Sequence, residues 1–276
     1  MRFSMLTILG VLAAVSCAEG QGRPPVVVLV HGRGHMDDDT ASLRRAWKAD
    51  LDSALAKVQM PPLANADVRL AWYADALDPS GDGGCPATVT TPDSTGFETF
   101  ARDFLGSLAS ALPRNESREA RTLLGDMLYA VDPSRRCGAQ RRVGRVIDAA
   151  LAEGRSVVVV AYSLGALVTY AELNNRRRDS VAGRQVHLVT IGSPLGSTDI
   201  REILGETGPL RLPSMVASWE NVYDPNDAFA APIAAHVSGA QDLQVEADSR
   251  DDPHHVSRYL RNRATGMAVA RALRAH

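Results

Sequence analysis

The chain has 276 residues, 45% of them hydrophobic, and a formal net charge of −2 at neutral pH. That length can bury a sizeable core and fits one α/β domain as well as two small ones; a single domain over 24–276 is the expectation. The charge balance excludes a global basic field of the kind that attracts nucleic acid or an anionic membrane surface.

The amino terminus reads as a secretory signal over residues 1–18: Arg2, an apolar stretch from Met5 to Val15, then small residues. The stretch is too short to span a bilayer stably. Ser16-Cys17-Ala18 puts small residues at both positions a signal peptidase requires, while Ala14-Val15-Ser16-Cys17 resembles a lipoprotein lipobox with Ala14 where leucine is preferred. Soluble export is the first reading, and a lipid anchor on Cys17 at a membrane surface is the second. Either accounts for Cys17. Cys85 and Cys137 remain as an even pair in an oxidising compartment, which predicts one disulfide.

Val26 to Val30, bounded by Pro and Gly, predicts a short buried strand, followed by the loop His31-Gly32-Arg33-Gly34-His35. Leu43, Trp47, Leu51, Leu55 and Val58 recur at helical spacing and predict a helix over 40–58. The next strand is expected over 68–73. The stretch from Leu77 to about Gly96 is rich in Pro, Gly, Ser, Thr and Asp and reads as an irregular insertion. Helical periodicity resumes at 97–112, 117–130 and 140–152, with Pro113 and Pro133 punctuating the gaps. Residues 77–139 read as an inserted segment. Strands are then expected over 156–161, 186–191 and 215–222, with helices over 165–175, near 198–204, and over 256–273. Tyr259, Leu260, Met267 and Leu273 are the expected buried positions of the last helix. Strands alternating with helices predict an α/β fold, a mostly parallel sheet with helices on both faces.

The segment with the most chemical information is Ser156 to Val168. An apolar β-branched run leads into Ala161-Tyr162-Ser163-Leu164-Gly165 and then a helix. A serine on such a turn is lifted clear of the sheet, and small residues two before and two after it let strand and helix approach closely. Ala161 stands where glycine is usual, yet a methyl group still meets the need for a small residue. An unassisted serine hydroxyl is a poor nucleophile, so this reading demands a histidine to take its proton and a carboxylate to orient that histidine. Asp224 and Asp227 follow the strand at 215–222, and His254 and His255 follow Pro253. Asp224 precedes a proline and suits a turn-stabilising role. His254 and His255 are adjacent and cannot both point at Ser163. A negatively charged transition-state oxygen would need backbone N–H donors already in place.

These motifs, in this order, resemble the α/β-hydrolase superfamily, in particular exported bacterial lipase- and esterase-like members, over most of the chain outside 77–145. The resemblance implies the α/β-hydrolase fold and a serine hydrolase that cleaves carboxylic esters through an acyl-enzyme. It implies Ser163 as nucleophile, Asp227 as the triad acid and His254 as the base. The oxyanion donors would be the N–H of Leu164 and that of Gly32 or Arg33, with His31 shaping its loop. It would line the pocket rim with Gly192-Ser193-Pro194-Leu195 and make the 77–139 insertion a cap, the alternative being a surface elaboration without that role. It calls for no cofactor and no metal. The partner it implies is a small-molecule or lipid ester; nucleic acid is not among the expected partners. Two other readings are open at this stage. His31 with His35, or Asp251, Asp252, His254 and His255, could supply a metal site, although glycines make a helix that would align the first pair improbable. A catalytically inactive binding protein would keep the same fold.

Overall fold

The structure, a computed structural model, describes residues 23–78, 85, 129, 132–176, 185–199, 210–245 and 252–275. The signal segment 1–18 with Cys17, the helix predicted over 97–112, that over 117–130 apart from Tyr129, most of the one near 198–204, and most of the proposed cap 77–139 lie outside the described residues.

Apolar, largely β-branched runs form the centre of the sheet. In chain order the strands are β1 (Val26–Val30), β2 (Val68–Ala71), β3 (Val157–Tyr162), β4 (Val186–Ile191), β5 (Val216–Tyr223) and β6 (Ala240–Gln244). All pair in parallel, in the spatial order β2-β1-β3-β4-β5-β6. Among the described residues five main helices accompany them: α1 (Thr40–Ala56), α2 (Pro133–Ala152), α3 (Leu164–Asn174), and after the last strand α4 (Val256–Leu260) and α5 (Arg263–Arg274). No helix of the described residues is long and apolar enough to cross a membrane.

The period of two along the strands divides the core between the two faces of the sheet. Val26, Val28 and Val30 join Val159, Val143, Ile147, Val168 and Trp219 on the face covered by α2 and α3. Val27 and Leu29 join Val158, Val160, Trp47, Leu51, Ile191 and Val269 on the face covered by α1 and α5. β1 leads to β2 on one side, and the chain then crosses to β3 on the other. The carboxyl ends of β1 and β3 therefore flank a topological switch point, where open parallel sheets place their crevices.

Beyond shifts of one or two residues at element ends, four features differ from the sequence reading. β2 ends at Ala71, and the Tyr73 N–H leaves the ladder to donate to His31 Nε2 at 3.0 Å. The helix expected from 140 begins at Pro133: Asp132 caps it by accepting the N–H groups of Ser134 and Arg135, and a proline at the first position sacrifices no helical hydrogen bond. Residues 133–139 thus belong to α2 and not to an insertion. The terminal helix is two, because Asn262 accepts from Ala264 N–H at 2.9 Å and restarts it. That restart buries Tyr259, Leu260, Ala268, Val269 and Ala272, while Met267 and Leu273 are only partly covered. β6 was not expected. Of its five residues only Leu243 is a large apolar one, and a buried polar chain contributes to its docking: Trp219 Nε1 donates to Thr190 Oγ1 (2.9 Å), Thr190 to Asn221 Oδ1 (2.9 Å), and Asn221 Nδ2 to Asp242 Oδ1 (2.8 Å).

Cys85 and Cys137 are joined by a disulfide that closes a separation of 52 residues, and Ser134 Oγ donates to the Cys85 carbonyl beside it at 2.6 Å. Opening a loop of that length is expected to lower stability by about 4 kcal/mol on a chain-entropy argument. Urea midpoints measured with and without reductant check this; equal midpoints would mean that the bridge does not restrict the unfolded chain.

Candidate active site

Ser163 occupies the junction between β3 and α3 with φ 52° and ψ −122°. Only one other described non-glycine residue, Gln59, has a positive φ. Such a conformation costs about 1–3 kcal/mol and persists where its surroundings impose it. Here the Ser163 N–H donates to the Ile191 carbonyl at 3.1 Å and the Ser163 carbonyl accepts from Ala166 N–H at 2.9 Å. The approach of α3 to the sheet depends on Gly165, where a Cβ would stand 2.2 Å from the His31 carbonyl oxygen. Ala161 is fully buried opposite Val30 in the sheet, so its methyl group is absorbed by the core where the usual motif has glycine.

Three residues distant in sequence converge on this turn. Ser163 Oγ lies 2.9 Å from His254 Nε2, and His254 Nδ1 lies 2.7 Å from Asp227 Oδ2. A carboxylate can only accept, so Nδ1 carries the imidazole proton and Nε2 is left to accept the serine O–H. Asp227 is buried at 2% exposure; its Oδ1 takes the Phe229 N–H at 2.9 Å and its Oδ2 takes the Tyr259 hydroxyl at 2.7 Å. Burial alone would raise its carboxyl pKa. The hydrogen bond and charge of His254, the Tyr259 hydroxyl and the Phe229 N–H together outweigh it and hold the carboxyl below its ordinary value.

The two ambiguous pairs separate cleanly in space. Asp224 is buried and holds its own loop: it accepts Asn226 N–H at 2.9 Å and pairs with Arg258 Nη2 at 2.6 Å. His255 is exposed and opens α4 as its N-terminal flanking residue, whereas His254 is directed at Ser163. The His254 N–H donates to Asp252 Oδ1 at 3.0 Å, and the Tyr162 hydroxyl donates to the His254 carbonyl. The Tyr162 and Phe229 rings flank the imidazole with centroids 5.2 and 4.9 Å away.

The loop after β1 packs directly on the serine. A Cβ on Gly32 would stand 2.8 Å from Tyr162 Cδ1 and 3.3 Å from Ser163 Cβ, so only glycine fits there without a shift. Leu164 is the first residue of α3, and its N–H has no partner within the helix. His31 is buried with both ring nitrogens engaged: Nε2 accepts Tyr73 N–H at 3.0 Å, and Nδ1 donates to the Gly32 carbonyl at 2.7 Å. Burial above all, with His35 nearby, pushes its pKa down from 6.5 to about 3. A neutral histidine braced by backbone shapes this loop, and the alternative metal pair of His31 with His35 loses one donor to that brace. Among the described residues no three His, Cys, Asp or Glu side chains form a group suited to a metal ion; Asp251 lies outside them.

His31 has a consequence for acid stability. Its folded pKa lies below the unfolded one, so its contribution is full above about pH 6.5 and is lost as pH falls towards 3, where the unfolded chain takes a proton that the folded chain refuses. Urea midpoints are expected to fall across this window, with a shallower slope in His31→Asn; equal slopes would contradict the burial argument.

Gly192-Ser193-Pro194-Leu195 does not form a rim. Ser193, Pro194 and Leu195 are buried, and the Ser193 carbonyl accepts Ala231 N–H at 3.0 Å, bracing the segment after Asp227. The sequence reading also missed three tyrosines. Tyr73 donates to the His31 carbonyl at 2.9 Å and to that of Gly32 at 3.1 Å; Tyr162 holds the histidine loop; Tyr259 holds the acid. Their buried, aromatic character was visible, but the destination of each hydroxyl depends on tertiary contact. Compared with known proteins, the chain matches no family model, and no curated protein is significantly similar to it.

Proposed function

We propose that the chain is a serine hydrolase of the α/β-hydrolase superfamily that cleaves a carboxylic ester through an acyl-enzyme. The observation that carries this is the unbroken hydrogen-bonded line from Ser163 Oγ through His254 to Asp227, at 2.9 and 2.7 Å, beginning on a serine held at positive φ. In this mechanism Ser163 Oγ attacks the ester carbonyl carbon as His254 Nε2 takes its proton. Asp227 orients the imidazole and stabilises the imidazolium. His254 then gives the proton to the departing alcohol, and the acyl group stays on Ser163. A water, deprotonated by the same nitrogen, releases the acid and restores the serine.

The transition-state oxygen would be met by backbone N–H groups of Leu164 and of Gly32 or Arg33. The peptide planes support this placement. The carbonyls of His31 and Gly32 both accept from Tyr73, and across a trans peptide the N–H points opposite to the carbonyl, so the N–H groups of Gly32 and Arg33 face away from Tyr73. The Cys85–Cys137 disulfide favours an exported protein, in keeping with the reading of residues 1–18.

Pre-steady-state hydrolysis of p-nitrophenyl esters tests the reading: a burst of one nitrophenolate per chain is expected, insensitive to chelators. Activity abolished by a chelator and restored by metal would overturn it, and a folded chain with no turnover on any ester would favour a binding role.

A further inference from the structure

Resting on the serine-hydrolase reading, we propose that Tyr259 is a positioning residue: its hydroxyl donates to Asp227 Oδ2 and accepts the Asp224 N–H, so that one buried side chain of α4 sets the carboxylate that orients His254. The distances are 2.7 Å to Asp227 and 3.1 Å from Asp224 N. Tyr259 is fully buried, and its ring is confined: a Cβ on Gly192 would stand 3.0 Å from Tyr259 Cε2. A carboxylate held by one partner can rotate about its terminal torsion. Asp227 is held by three donors, on the acid loop, the histidine loop and α4, and two of them share the oxygen that faces His254.

The chemical type of the third donor matters. Burial first, and then Asp227 itself, raises the Tyr259 phenol far above its ordinary value, so it is an O–H donor throughout the working pH range. A neutral donor fixes the carboxylate without cancelling the charge that must stabilise an imidazolium. The Arg258 guanidinium is instead paired with Asp224 at 2.6 Å, and Arg33 acts on Tyr162. The ionisable groups around Asp227 are therefore His254 and Tyr259 by direct bond, Tyr162 on β3, Asp224 with Arg258 beyond it, and Asp252 in the histidine loop.

Without the hydroxyl, Asp227 has one donor fewer in a buried site. The carboxylate becomes more basic and harder to keep ionised, and through the Nδ1–H bond it binds the imidazolium form more tightly, so that the Nε2 proton is given up less readily. Both effects move the acid limb of activity to higher pH.

The test is the rate of fluorophosphonate inactivation of the full chain against pH, resolved into maximal rate and half-saturating concentration. Tyr259→Phe is expected to lose about tenfold or more in maximal rate with an unchanged half-saturating concentration, and to shift its acid limb upward by about one pH unit. Thr265→Val serves as the stability control: Thr265 Oγ1 donates to the Tyr259 carbonyl at 2.7 Å, so its loss should lower the melting temperature and leave the limb in place. Incorporation of 3-fluorotyrosine at position 259, which keeps the shape and strengthens the donor, should move the limb to lower pH. A Tyr259→Phe protein with wild-type rate and limb overturns the proposal, whatever its melting temperature. Should Tyr259→Phe not fold, an unmoved limb in the fluorotyrosine protein overturns it. A folded wild type that labels no better than Ser163→Ala removes the serine-hydrolase reading itself, which separates the two failures.

Discussion

Ser163→Ala is expected to lower ester hydrolysis by about 10⁴–10⁶-fold while the protein stays folded, because a nucleophile that works as a unit with its base cannot be replaced by the rest of the site. Alanine keeps the Cβ and therefore the strain at φ 52°. Ser163→Gly should be equally inactive yet more stable than Ser163→Ala by about 1 kcal/mol, since glycine adopts that conformation without penalty. Initial rates on p-nitrophenyl esters, with urea midpoints for both variants, check this pair. An active Ser163→Ala would remove the nucleophile; a glycine variant no more stable than the alanine one would remove the strain.

The second large effect separates the two aspartates. Asp227→Asn is expected to cost about 10⁴ in kcat, because an amide no longer fixes the Nδ1–H form of His254 or stabilises the imidazolium. Asp224→Asn should leave kcat within about tenfold and instead cost about 3 kcal/mol of stability, by leaving Arg258 without its buried partner. The pH dependence has a defined sign. The folded pKa of Asp227 lies below its unfolded value, so the stability it contributes is present above about pH 4 and is lost as pH falls through the folded value. Asp227→Asn loses this acid-dependent share; Asp224→Asn keeps it. Kinetics and urea titrations of the two variants at pH 7 and below pH 4 give the comparison, and a reversed pattern would exchange their roles.

What was legible in the sequence follows from which interactions are local. β1 and β3 are continuous apolar runs, β4 is apolar except for His187 and Thr190, and all three are buried throughout, a pattern that announces a central strand. The serine turn was legible for the same reason, since its strand, turn and helix are adjacent in the chain. The Pro133 start of α2 was readable but misread: an Asp-Pro pair marks a helix beginning as well as a break. β6 was not readable, because its position depends partly on Asn221 and Asp242 meeting across 21 residues. The residues alone left Asp224 beside Asp227 and His255 beside His254; the resemblance favoured Asp227 and His254, and the contacts that separate each pair exist only in space. The choice comes down to which carboxylate meets the imidazole and which histidine is exposed at the start of α4. Nothing in the sequence could show that Tyr259 would spend its hydroxyl on the acid, because that contact joins α4 to the loop after β5 across 32 residues.

The most direct measurement is the site of covalent labelling. The folded full chain is treated with a fluorophosphonate at pH 7, weighed intact and digested for peptide mapping. The account predicts one adduct per chain, carried by Ser163 and absent from His254→Ala on the same timescale. No adduct on the folded protein, or an adduct on a residue other than Ser163, would contradict it.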